Sequence, residues 1–85
     1  GPVRTYTDLA QQMISRLTVD GDDVYWLVDS VLPTSPSRLE WCSVQGCAGK
    51  PKVLAEVANP EDVAVSSTDV YVVSTFGPLY SVARW

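Results

Sequence analysis

Histidine is absent from the chain, and basic side chains number only six. Without histidine the chain lacks the usual general base near neutrality and the commonest metal-binding side chain. No Gly-x-Ser-x-Gly elbow is present, so a serine or cysteine nucleophile has no evident activating partner. The six basic residues (Arg4, Arg16, Arg38, Lys50, Lys52 and Arg84) never cluster, and ten acidic residues bring the net charge to −4. That is the wrong electrostatics for nucleic acid, whose phosphates call for a basic patch. No apolar run approaches the ~20 residues needed to span a membrane. There is no signal peptide pattern, and Gly1-Pro2 reads as the remnant of a cleaved tag, so the missing leader says nothing about location. Prosthetic groups have no motif to hold them, and no cofactor is expected.

What is present is strand-forming sequence. Apolar residues make up 46% of 85 positions, which is enough for one small globular domain. Leu17 and Val19, then Val24, Trp26 and Val28, alternate with period two, and Asp20-Gly21-Asp22 between them is a hairpin signal. The same pattern recurs at residues 62–66 and 69–74 around Ser67-Thr68. Residues 39–44 and 52–57 read as a third and a fourth strand separated by a turn at 46–51. Residues 79–84 form a later third strand after the tight turn Gly77-Pro78. Pro33 and Pro36 exclude a central strand between 30 and 37, which reads as a long loop. Residues 6–17 taken alone would also suit a short helix capped by Thr7 or Asp8.

The repeat decides against that helix. Leu9-Ala10 matches Leu54-Ala55, and Asp23-Val24-Tyr25 matches Asp69-Val70-Tyr71, with one residue of slack between the two matches. A period in the forties built from short apolar strands is the mark of a four-stranded β-propeller blade. Labelled A to D from the centre outwards, the strands run D (residues 4–10), A, B, C, D, A, B, C. The expected organisation is therefore an outer strand at 4–10, a first blade at 14–58 and an incomplete second blade at 61–85, all within a unit spanning 3–85. The fold class is all-β: two four-stranded blades with circularly offset strands that complete a ring by homo-oligomerisation. The N-terminal strand of one chain would finish the last blade of the next, a head-to-tail contact.

Val19 to Trp26, then Cys42-Ser43-Val44-Gln45-Gly46-Cys47, then Val53-Leu54-Ala55 resemble one blade of bacterial cell-surface β-propeller proteins. Their architecture is similar to that of the NHL and YWTD six-bladed propellers. The second copy departs from the pattern: Val72 replaces the tryptophan, and both cysteines are missing. The resemblance implies an extracytoplasmic scaffold (secreted, periplasmic or on the cell surface), six-bladed when complete, with no catalytic residue to carry over.

Cys42 and Cys47 flank the turn between strands C and D and are expected to form a disulfide, with free thiols as the alternative. They lack the partners a metal site needs and the Cys-x-x-Cys spacing of a redox pair. A disulfide implies an oxidising compartment. Asp20, Asp22, Asp23 and Asp29 lack the glutamate and regular alternation of a calcium loop, so the acidic turn reads as a hairpin satisfying its own backbone donors. Tyr25, Trp26 and Tyr71 sit mid-strand, where aromatics pack between blades. Trp41, Tyr80 and Trp85 are the candidate ligand-binding aromatics. The expected function is a non-enzymatic scaffold or binding module whose partner is itself, as a trimer ahead of a tetramer. A carbohydrate-binding propeller is the alternative, with a glycan or surface ligand as partner.

Overall fold

The computed structural model describes residue 3 and residues 12–30, 36–75 and 77–84. Every element among them is a strand. β1 (Gln12–Asp20), β2 (Asp23–Ser30), β3 (Arg38–Ser43) and β4 (Lys52–Glu56) form an antiparallel sheet in chain order. β5 (Pro60–Val65), β6 (Asp69–Ser74) and β7 (Leu79–Ala83) form a second, also in chain order. Residues 12–17, the second half of the competing helix, are strand. Their backbone is paired by β2, from Gln12 opposite Ser30 to Leu17 opposite Trp26, and that tertiary pairing overrides a modest local helix preference. The outer strand expected at 4–10, Trp85 and most of the proline loop lie outside the described residues.

The repeat extends to backbone irregularities. β1 is bulged at Ser15 and β5 at Glu61, the same repeat position. A bulge sharpens the local twist, so both first strands bend alike. Pro60 can open β5 because the first residue of an edge strand needs no ladder donor. The two hairpins close by different chemistry. Gly21 takes φ 60°, the positive value a type II′ turn needs at its first loop residue. At the second hairpin the Ser66 hydroxyl accepts from the backbone N–H groups of Thr68 and Asp69, so no glycine is required.

Two faces of the first sheet are apolar. Val24 to Val28 are five consecutive buried residues, the pattern of a strand covered on both sides. Tyr25 and Leu27 point to one face with Leu39, and pack with Val63, Val70 and Val72 of the second sheet and Val57 of the connection. Val24, Trp26, Val28 and Cys42 point to the other face, against Val44 and Cys47. The sheets meet where β5 lies along β1 and β2. The short connection is pinned on both sides: Val57 N–H donates to the Ser37 carbonyl, and Thr75 N–H donates to the Asn59 carbonyl. The Ser74 hydroxyl donates to the carbonyl of Ala58.

Leu27 is fully buried in this seam. Leu27→Ala should cost about 2–5 kcal/mol, the range for deleting a buried leucine side chain. Truncation of half-exposed Val53 on β4 should stay within about 0.5 kcal/mol. Urea melts of the two variants check the contrast.

Candidate functional site

The densest polar cluster spans the seam at one end. The guanidinium of Arg84, just past β7, reaches acceptors on both sheets. Its Nε donates to the Tyr25 hydroxyl (2.8 Å), and one terminal nitrogen donates to Asp20 Oδ2 (2.6 Å) and to the Ser66 carbonyl (2.8 Å). The other terminal nitrogen donates to Asp23 Oδ2 (2.9 Å), while Trp41 Nε1 donates to the second oxygen of the same carboxylate (2.9 Å). The planar guanidinium fork suits this spread of acceptors. Only 8% of the Arg84 side chain is exposed, against 51% for Asp20, so the Asp20 arm is screened by water and Asp23 and Tyr25 carry more of the hold. The acidic hairpin thus satisfies side-chain donors from elsewhere, where the sequence suggested its own backbone donors. Among the described residues no three metal-ligating side chains converge.

Burial raises the Tyr25 hydroxyl above its ordinary value of 10.0; the Arg84 hydrogen bond opposes this and the Asp23 charge adds to it. The Arg84 guanidinium is raised too, first by its bond to Tyr25. Both groups therefore stay protonated near neutrality. The cluster is a clasp between sheets.

A second polar group lies on the opposite face of the first sheet. Glu40 is buried, with one oxygen accepting from Trp26 Nε1 (2.9 Å) and the other ion-paired with Arg38 Nε. Both oxygens being engaged, the carboxylate holds Trp26 in place. Cys42 and Cys47 have their sulfurs at disulfide bonding distance, with Cα atoms 5.5 Å apart. Cys47 and Val44 then fold over the Trp26 face. A pair so placed fits an oxidising environment. No helix among the described residues is long and apolar enough to cross a membrane.

Trp41 and Tyr80 do not share a site. Trp41 packs on the seam cluster with its N–H given to Asp23. Tyr80 lines a small cleft with Ala58, Asn59, Ser74, Gly77 and Pro78, which does not include Trp41. Trp85 is outside the described residues. Tyr25 lies in the seam as expected of a mid-strand aromatic, whereas Trp26 turns to the other face and Tyr71 is half-buried on the outer face of the second sheet. Arg84 gave no signal in the sequence, because the side chains it binds, those of Tyr25, Asp20 and Asp23, lie 59 or more residues away. No family model matches the chain, and no curated protein and no solved structure matches it either.

Arg84→Met should lower the urea midpoint below that of the native chain, since it strips a charge-assisted donor from Tyr25 and Asp23. Tyr25 adds a pH dependence. Its folded value is raised, so above pH 10 the unfolded chain loses that proton first, and stability falls until the folded hydroxyl also ionises. Urea midpoints measured from pH 9 upwards should drop more steeply for the native chain than for Tyr25→Phe. Reduction of Cys42–Cys47 should add the mass of two hydrogens and cost about 2 kcal/mol. Free thiols in unreduced, denatured protein would refute the bridge.

Proposed function

We propose that the chain is a non-enzymatic scaffold or binding module of two propeller-type blades that closes into a homo-oligomeric ring by exchange of its N-terminal strand. The observation that carries this reading is the unequal strand count. The first sheet ends on β4, while the second stops at β7, the counterpart of β3. Among the described residues no strand pairs with the outer edge of β7, and stable proteins pair or cover such edges. Residues 8–10 match residues 53–55 of β4 in the repeat. Supplied by a neighbouring chain, that segment would pair with β7 as a fourth strand. Each chain brings two blades, so six blades require three chains and eight require four. The resemblance to six-bladed propellers favours the trimer. The cysteine pair at bonding distance supports a secreted, periplasmic or cell-surface parent protein.

Light scattering should give a mass near three times 9.3 kDa. A stable monomer at micromolar concentration overturns the ring, and a fourfold mass keeps the ring but rejects six blades. Deleting residues 3–10 should abolish the defined oligomer while strand content persists.

A further inference from the structure

The internal seam is one half of a contact that the chain can repeat with a second copy. By the repeat, Tyr25, Leu27 and Leu39 of the first sheet correspond to Tyr71, Val73 and Leu79 of the second. The register supports this: Leu27 pairs with Leu39 as Val73 pairs with Leu79. The first trio is fully buried in the seam. The second is the same kind of apolar face left open, with Val73 43% and Leu79 65% exposed. Together with Asp62, Val63 and Ala64 these three line a groove of about 170 Å³. β6 has the composition of a strand covered on two sides and is covered on one.

The complementary half is open at the other end of the chain. Val63 and Val65 of β5, which take the contact inside the seam, correspond to Leu17 and Val19 of β1. Leu17 is 60% and Val19 55% exposed. Their β2 neighbours Val24 and Trp26 are already buried, so the part of this face left open is β1, the counterpart of β5, which lies along β1 and β2 in the seam. The strand that such a contact needs is thus the open one. The polar rim changes in step. Val44 and Arg84 occupy equivalent places, since Val44 N–H donates to the Asp22 carbonyl as Arg84 N–H donates to that of Thr68. Where the copy contact would present Val44 in place of Arg84, it also presents Ser66 in place of Asp20. The cation and one of its carboxylates are lost together.

We infer that a second copy of this chain seats its β1 face, Leu17 and Val19, on the Tyr71–Val73–Leu79 face, reproducing the internal sheet packing between molecules. The inference rests on the self-association proposed above and specifies the surfaces. Such a contact is head-to-tail, with different patches on the two partners.

Leu17→Glu and Val73→Glu test it by sedimentation equilibrium, separately and mixed, with near-UV circular dichroism confirming native packing. Each variant alone should fall to the 9.3 kDa monomer, since a buried unpaired carboxylate is strongly disfavoured. Mixed at equal concentration, each offers the one intact face that the other lacks, so a one-to-one dimer should form and grow no further. Should either glutamate variant lose its near-UV signal, Leu17→Ser and Val73→Ser replace the pair with the same expectation. An assembled native chain whose variants keep its mass overturns these surfaces and leaves self-association standing. A mixture that stays monomeric also overturns the surfaces. A native chain that is itself monomeric removes both readings.

Discussion

A sheet of three short strands needs a packed hydrophobic face to be stable in water. The second sheet therefore depends on Tyr25, Leu27 and Leu39 lying over Val63, Val70 and Val72. That seam also makes the clasp possible. Arg84 and the Asp20–Asp23 hairpin belong to opposite ends of the chain, and only sheet-on-sheet packing brings them within 3 Å. The clasp in turn gives the buried Tyr25 hydroxyl a donor. A polar atom there would otherwise weaken the seam that holds it.

The first sheet carries the heavier duty because β2 is apolar on both faces. Its second face holds Trp26, whose N–H needs an acceptor once buried, and Glu40 supplies it from β3 directly opposite. A buried carboxylate needs compensation of its own, and Arg38 two residues away provides it. Cys42 faces the same side, so its link to Cys47 draws the β3–β4 turn over that face. The disulfide closes a loop, but its position also makes it part of the core. The second sheet has none of these parts, and its outer face stays open.

Much of this build was legible in the sequence, and the reasons are local. Asp-Val-Tyr recurs because both second strands begin after the same hairpin, and period-two alternation places six of the seven strands within two residues of their observed bounds, with β1 starting earlier at Gln12. The matching bulges at Ser15 and Glu61 were not legible, since a serine and a glutamate share no side-chain signature for a backbone irregularity. Alternation assigned Trp26 to a face without saying which face would meet the other sheet. The Arg84 clasp was invisible because a lone arginine near the end of a sequence looks like any solvated cation. Trp41 and Tyr80 are alike as aromatic residues in the sequence, and only packing separates a tryptophan satisfied by Asp23 from an exposed tyrosine on β7.

The clasp also bears on which sheets pair, though less than its chemistry suggests. Arg84 could bind the Asp20–Asp23 hairpin of its own chain or of another, because its donors read only acceptor geometry. What favours the internal seam is the connection from β4 to β5. Val57 is buried in the core, and Ala58 and Asn59 each have their carbonyls claimed by β6 and the residue after it. Asn59 sits at φ 49°, a left-handed conformation that turns the chain sharply. A connection this tied cannot swing the second sheet outward without breaking those bonds. The repeat alone would allow either pairing, and the pinned turn at Val57 to Asn59 selects the intramolecular one.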